Sequence, residues 1–198
     1  MEYEAFYTSK GHVLDGALVF TPNIIFDTRG YFYESWNELE FRTALSSTGF
    51  PREDITFVQD NISHSFKNVL RGLHYQVAPK AQAKLIRCIE GEIFDVIVDL
   101  RKDSETYLQW GSATLSSVSH RQLWVPEGCA HGFLVISDKC TVLYKTTEHY
   151  SKEHERCLHY SDPIVDVRWP ETKNLVVSEK DEVGEFIDMS VKPDLWLV

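Results

Sequence analysis

The chain has 198 residues, a length that predicts one domain over residues 1–198 with a full hydrophobic core. Its net charge of −10 argues against nucleic acid as a partner, because phosphate backbones bind to basic surfaces. The start of the chain lacks the basic and apolar segments of a secretion signal, and no apolar run is long enough to span a membrane. We therefore expect a cytoplasmic protein with no membrane partner.

In chain order, the first predicted elements are two short strands within residues 16–36, which are divided by Thr-Pro and Arg-Gly turn signals. Residues 38–47 fit a short helix, and Gly49 and Pro51 are expected to end it. Further short strands are predicted at roughly ten-residue spacing. They are expected in residues 54–63, 69–76, 109–117, 122–128, 130–137 and 140–150.

Residues 84–100 contain two apolar, β-branched runs on either side of Glu90-Gly91, which predicts a hairpin with a two-residue turn. Many short strands with regular turns predict an all-β fold, an antiparallel jelly-roll barrel with a few short helices. Strand character is lost after residue 170. The polar segment 175–189 is expected either to lie on the surface or to fold back over the mouth of the barrel.

Two histidines stand beside glycine turns in this β-rich pattern. His74 follows an Arg-Gly pair, and His131 ends a P-x-G-x-x-H turn. A lone histidine is more often a packed residue at a strand end, but the repeated pattern predicts one small-molecule pocket lined from two strands. The four cysteines have no zinc-ligand spacing, so we interpret them as thiols of a reduced compartment.

A metal site of the cupin type would need further ligands beside His74, where the sequence has Gln76. The acidic ligand expected nearby is missing, and Lys80 and Lys84 add positive charge, which disfavours a divalent ion. We therefore predict a site without a metal.

Taken together and in order, these segments resemble the dTDP-4-dehydrorhamnose 3,5-epimerase family, whose members are cupin-fold sugar-nucleotide enzymes without a cofactor. The likeness extends over nearly the whole chain and includes FDTRGYFYESW, FVQDNISHS, VLRGLHYQ, AQAKLIRCIEGEIFDVIVDLRKDS, QLWVPEGCAHGFLVIS, VLYKTTEHYS and VSEKD. It implies a dTDP-sugar substrate and a homodimer in which N-terminal strands cross between subunits.

The resemblance also implies a set of catalytic residues. His74 corresponds to the base that removes a proton next to the C4 ketone, and Asp181 to its carboxylate partner. Lys84 corresponds to the cation beside the enolate, and Tyr144 to the acid on the opposite face of the sugar. The implied substrate-binding residues are Arg29, Glu34, Gln59, Asp60, Asn61, Arg71, Lys84, His131, Glu155 and Lys180. Arg29 and Glu34 are expected to reach the partner's site.

Some positions depart from the family pattern, among them Ala83, Cys129 and the segment LHYSDP. The leading hypothesis is epimerisation at C3 and C5 of dTDP-4-dehydro-6-deoxy-D-glucose in dTDP-L-rhamnose synthesis. Two alternatives remain open: a mono-epimerase that acts at C3 or C5 only, and a non-catalytic module that binds sugar nucleotides.

Overall fold

The computed structural model describes residues 1–48 and 55–190, which form two antiparallel sheets, a separate hairpin and two helices. The larger sheet has the order β1 (Glu2–Tyr7), β2 (Val13–Thr21), β10 (Gln122–Val125), β7 (Lys84–Glu90), β12 (Lys139–Thr146) and β5 (Gln59–Phe66). The smaller sheet has the order β13 (Glu155–Cys157), β6 (Leu70–Gln76), β11 (Cys129–Val135), β8 (Glu92–Asp99) and β9 (Trp110–Ser116). The hairpin consists of β3 (Ile25–Asp27) and β4 (Gly30–Phe32), and the helices are α1 (Glu38–Ser47) and α2 (Glu179–Glu182).

The two sheets pack face to face over a core built from alternate residues of their strands. Ile86 and Val142 of the larger sheet meet Ile97 and Phe133 of the smaller sheet in this core. Because side chains alternate across a strand, the intervening residues point to the outer faces. This arrangement confirms the predicted all-β jelly roll.

Both sheets are also covered on their outer sides, each by a different part of the chain. Helix α1 packs Phe41 and Leu45 against Phe20 and Trp124 of the larger sheet. The chain after β13 covers the smaller sheet, with Trp169 in a cluster that includes strand residues of β6, β8 and β11. This double coverage leaves the inner layer, between the sheets, as the place where polar residues can line a cavity.

Helix α1 has the predicted bounds. Its N-cap is Asn37, whose side chain accepts a hydrogen bond from the backbone N–H of Glu40. The predicted stop signals, Gly49 and Pro51, lie outside the described residues. Neither helix in the described part of the chain combines the length and apolar character needed to cross a membrane.

The predicted hairpin over residues 84–100 is wrong. Strand β7 pairs with β10 and β12, whereas β8 pairs with β11 and β9 in the other sheet. At Gly91, which has a φ of +78°, the chain crosses between the sheets, and a Cβ there would lie 2.0 Å from the carbonyl oxygen of Lys139. The glycine signals a sharp reversal, but it does not determine which strands pair.

The segment after residue 170 folds back onto the barrel, which is one of the two predicted outcomes. Val176 forms a parallel bridge with Val69, and Ser178 caps the short helix α2. A second bridge joins Leu158 to Glu185. Strands β1 and β13 were not expected from the sequence pattern, and β13 extends the smaller sheet beside β6.

Candidate active site

An open cleft with a cavity volume of about 130 Å³ lies between the two sheets. Strands β5, β7 and β12 of the larger sheet contribute residues to it, as does β6 of the smaller sheet. Its lining residues are Gln59, Asn61, His74, Tyr75, Gln76, Gln82, Lys84, Tyr144, Tyr150 and Glu155. The cleft therefore brings together residues that are far apart in the sequence.

His74 and Asp181 form a hydrogen-bonded pair at this cleft. Nε2 of His74 lies 2.6 Å from Oδ1 of Asp181, and the histidine side chain is 28% exposed whereas the carboxylate is 4% exposed. Burial lowers the pKa of His74 and outweighs the opposing effect of Asp181. Burial alone would raise the pKa of Asp181, but its interactions with His74 bring that pKa below its usual value. A neutral imidazole on an ionised carboxylate can accept a proton at neutral pH.

The Arg-Gly pair before His74 explains how Asp181 reaches the histidine. The N–H of Gly72 donates to Oδ2 of Asp181 at 3.2 Å, so the carboxylate is held by both the backbone and the imidazole. Gly72 has a φ of +112°, and a Cβ there would lie 2.7 Å from the Cα of Gly132. Only glycine fits this close approach of β6 and β11.

Lys84 is a nearly buried cation on the opposite side of the cleft. Its Nζ donates to the backbone carbonyl of His74 at 3.0 Å and so links the two sheets. Burial lowers the pKa of Lys84 to about 8, against the opposing charges of Glu155 and Asp95. The ammonium group is therefore mostly charged at neutral pH, although it lies in a poorly solvated site.

Tyr144 projects into the cleft from β12, in register with Asn61 of β5 and Ile86 of β7. Its ring packs partly against the core between the sheets. Burial raises the pKa of the phenol, although Arg71 acts in the opposite direction. The hydroxyl therefore keeps its proton at neutral pH.

His131 lies directly beside His74 in the register of β11 and β6, but it is not among the residues that line the cleft. Its Nε2 is 2.7 Å from Oδ1 of Asp95, a carboxylate with no solvent exposure. Within the described part of the chain, Oδ2 of Asp95 has no hydrogen-bond partner. This second pair forms a polar layer behind the cleft.

Polar and aromatic side chains surround the outer part of the cleft. The side-chain amide of Gln59 donates to Asn61, and its carbonyl oxygen accepts from the backbone N–H of Tyr150. The Tyr150 hydroxyl donates to Glu155 at 2.9 Å, and Glu155 also forms an ion pair with Lys180. These residues form a ring of donors and acceptors beside an exposed aromatic side chain.

Six of the predicted substrate-binding residues do not line this cleft, and two of them, His131 and Lys180, are described above. Arg29 lies at the turn of the β3–β4 hairpin, 88% exposed and paired with Asp27, and Glu34 accepts a hydrogen bond from Asn37. Asp60 points to the outer face of β5, where it binds Lys145, because it alternates with Gln59 and Asn61. Arg71 extends from β6 to the side chain of Ser65 and the carbonyl of His64.

Four lining residues were not selected from the sequence as site residues: Tyr75, Gln76, Gln82 and Tyr150. The Gln76 side chain is fully engaged with the backbone, since its amide donates to Lys80 and His149 and its oxygen accepts from Ser151. It therefore fixes the loop at the cleft. No sequence signal marks Tyr150, because an aromatic residue after a strand is common.

Known proteins with similar sequences belong to one family of sugar-nucleotide epimerases. A profile of the dTDP-4-dehydrorhamnose 3,5-epimerase family matches residues 12–188. The dTDP-4-dehydrorhamnose 3,5-epimerase of Shigella flexneri is 48% identical over 172 residues, which cover 86% of this chain and 91% of the relative.

Two solved structures are also similar. The dTDP-6-deoxy-D-glucose-3,5-epimerase of Legionella pneumophila Philadelphia 1, in complex with dTDP-4-keto-L-rhamnose, matches with a TM-score of 0.83 and 38% identity over 96% of each chain. A 3'-monoepimerase from Streptomyces bikiniensis, in complex with dTDP-quinovose, has a TM-score of 0.79 and 29% identity over 86% of this chain and 83% of its own. The matched range includes His74, Lys84, His131, Tyr144 and Asp181. The chain belongs to the dTDP-4-dehydrorhamnose 3,5-epimerase family.

Proposed function

We propose that the chain converts dTDP-4-dehydro-6-deoxy-D-glucose to dTDP-4-dehydro-β-L-rhamnose by epimerisation at C3 and C5. One observation carries the proposal: His74 comes from the smaller sheet and Tyr144 from the larger sheet, and both line the same cleft. A sugar ring held between the sheets would have a proton acceptor on one face and a proton donor on the other. Inversion beside a ketone needs this arrangement.

In the first step, His74 takes the α-proton next to the C4 ketone. Asp181 holds the Nε2 proton of His74, which leaves Nδ1 as the acceptor, and it stabilises the imidazolium that forms. The electrons of the broken C–H bond move into the ketone and produce an enolate. Lys84 supplies positive charge to the enolate oxygen in a site where little water competes.

In the second step, Tyr144 returns a proton to the same carbon from the opposite face. Its raised pKa keeps the hydroxyl protonated until a carbanion is present. The tyrosinate and the imidazolium then exchange protons with solvent, which restores both groups. Each cycle therefore inverts one carbon and introduces one solvent hydrogen.

The outer part of the cleft suits the nucleotide. Gln59 and Asn61 offer the paired donors and acceptors that a thymine edge needs, and the exposed ring of Tyr150 is available for stacking on the base. The ion pair of Lys180 with Glu155 leaves ammonium hydrogens for the diphosphate. The guanidinium of Arg71 acts electrostatically on Tyr144, and its positive charge favours a diphosphate bound nearby.

The β3–β4 hairpin supports a further part of the proposal, a homodimer in which this hairpin crosses to the partner. Phe26 and Phe32 are 72% and 68% exposed on the hairpin, although large apolar side chains are normally buried. Docking of the hairpin on a second copy would bury them. It would also carry Arg29 and Glu34 towards the partner's cleft.

Isotope exchange in deuterated water tests the reaction. We expect deuterium at both C3 and C5 of the product. Label at one carbon only would identify a mono-epimerase, and tight binding of dTDP with no exchange would identify a binding module.

Tyr144→Phe should retain exchange of the α-proton through His74 while the rate of inversion falls by roughly 10²–10⁴-fold. Tyr160→Phe, which removes a tyrosine hydroxyl outside the cleft, is the matched control.

Mixing two inactive variants tests the dimer. If Arg29 acts in the partner's cleft, Arg29→Ala and His74→Asn subunits recover about a quarter of wild-type activity when reassorted, because half of the dimers contain one intact site. A fully active species of 22.9 kDa in light scattering would contradict the dimer. No recovery in a mixture of verified dimers would contradict the exchange of the hairpin.

A further inference from the structure

His74 and two other potential metal ligands, Cys157 and Asp181, come together from three separate segments of the chain. Cys157 of β13 lies opposite His74 of β6 in the strand register, and its Sγ is 3.8 Å from Oδ1 of Asp181. The donor atoms of these three residues all lie within 4.8 Å of one another. The residues are too far apart in the sequence for any spacing rule to predict this cluster.

The dimensions and the chemistry of the cluster fit zinc. In a tetrahedral zinc site, bond lengths near 2.0–2.3 Å put neighbouring ligand atoms roughly 3.3–3.6 Å apart. The Asp181–Cys157 distance of 3.8 Å is already close to this, and the His74–Asp181 distance of 2.6 Å needs to open by less than 1 Å. Imidazole, thiolate and carboxylate are all ligands of Zn²⁺, whereas Mg²⁺ and Ca²⁺ prefer oxygen alone.

We propose that His74, Cys157 and Asp181 form a Zn²⁺ site, and that zinc bound there inhibits the enzyme. The site differs from the usual cupin metal position, where this chain has Gln76 and Lys84. An entry path exists, because Cys157 also lines a second open pocket with Lys180 and Gly184, on the outside of the barrel.

Inhibition follows from the position of the imidazole proton. In the free enzyme Nε2 carries the proton and donates it to Asp181, so Nδ1 is the acceptor. Zinc bound to Nε2 needs that lone pair, so the neutral imidazole then carries its single proton on Nδ1. The thiol of Cys157 loses its proton to solvent when it binds the metal. His74 can then no longer accept the α-proton.

Nearby ammonium groups limit the affinity. The positive charges of Lys84 and Lys180 both lower the pKa of His74, and they would also repel a metal cation bound beside it. Glu155 partly neutralises Lys180 through their ion pair. We therefore expect a site that fills at micromolar free zinc and is not a permanent structural ion.

The experiment begins with protein freed of metal by chelation. We expect this protein to have full epimerase activity, Zn²⁺ to lower the rate, and excess chelator to restore it. Cobalt(II) provides a second measurement that needs no substrate: bound at Cys157 it should give a near-ultraviolet thiolate-to-cobalt charge-transfer band. The binding part of the proposal can thus be judged even if the proposed reaction is wrong, whereas the inhibition part rests on the proposed role of His74.

Cys157→Ala is the decisive variant and Cys140→Ala, a buried thiol on β12, is its control. Cys157→Ala should keep its basal activity, lose the cobalt band and need at least about ten-fold more zinc for half-inhibition, since loss of even an outer-shell partner weakens metal sites by 10–100-fold. Cys140→Ala should keep the band and the zinc sensitivity. The proposal fails if wild-type protein gives no band, if zinc inhibits Cys157→Ala equally, or if chelation inactivates the enzyme. If Cys157→Ala does not fold, the charge-transfer band of the cobalt-loaded wild-type protein still tests whether a thiolate binds the metal.

Discussion

His74 and His131 lie side by side on neighbouring strands, and each is hydrogen-bonded to an aspartate, yet their surroundings differ. His74 reaches the cleft, and the pKa of its partner Asp181 is lowered. His131 is buried, and desolvation raises the pKa of its partner Asp95 despite the nearby charges of His131 and Lys84. The same two side chains can thus serve as a base at a cavity wall or as a polar support behind it. Access to the cleft and satisfaction of the carboxylate make the difference, because Asp181 is also held by Gly72 whereas Asp95 has one oxygen without a partner among the described residues.

The largest expected effect separates the two histidines. His74→Asn should lower solvent exchange and epimerisation together, by roughly 10⁴-fold, because Glu155, the one carboxylate among the described residues that line the cleft, is paired with Lys180 and is not free to take the proton. His131→Asn should cost activity less than about ten-fold but destabilise the fold by roughly 1–3 kcal/mol, because Asp95 loses its buried partner. Enzyme kinetics of both variants measure the loss of activity, and thermal unfolding measures the loss of stability. Equal catalytic losses would abolish the distinction between the two pairs.

A smaller contrast is expected between the two aspartates. Asp181→Asn keeps the shape but loses the charge that fixes the tautomer of His74, so kcat should fall by roughly 10²–10⁴. Asp95→Asn removes no contact to the cleft and should leave most of the activity at neutral pH. The two rates are compared at one pH in variants whose circular dichroism matches the wild type. A greater loss in Asp95→Asn would make the buried pair the more important one for catalysis.

The smallest effect concerns pH. Activity needs neutral His74, whose pKa lies below its usual value of 6.5, and charged Lys84, whose pKa is about 8. We therefore expect kcat/KM to rise through an acidic limb below pH 6.5 and to fall through an alkaline limb near pH 8. Asp95 raises the pKa of Lys84, so Asp95→Asn should move the alkaline limb to lower pH. The activity in the alkaline range should fall by at most about ten-fold for each unit that the limb moves. An alkaline limb that stays in place would mean that Asp95 carries no charge.

Most of the strands could be predicted from local pattern, and the residues proposed for catalysis were selected from recognisable motifs. The glycine turn beside His74 predicted a pocket lined from two strands, and the family motifs led to Lys84, Tyr144 and Asp181. In the run EKDE, Asp181 has no local feature that distinguishes it from a solvated charge. Its burial depends on the chain folding back over β6, which no short segment specifies.

Other features could not be predicted, because they depend on pairing between distant segments. The Glu90-Gly91 turn looks like a hairpin, but the partners of β7 and β8 are supplied by β10, β12, β11 and β9. The cluster of Cys157 with His74 arises only from the short strand β13. Asp60 was grouped with its neighbours by motif, although alternation along β5 turns it to the outer face.

The segment that carries Asp181 begins after both sheets are complete and is held to them by a few backbone bridges, among them Val69 with Val176 and Leu158 with Glu185. Residues 172–174 before it are exposed. A single proteolytic cut there would leave every strand pairing of the barrel unbroken while ending the covalent link between the base and its carboxylate. The nicked enzyme would then consist of two pieces, and its activity would depend on concentration, falling on dilution as the smaller piece dissociates and returning when the same peptide is added back.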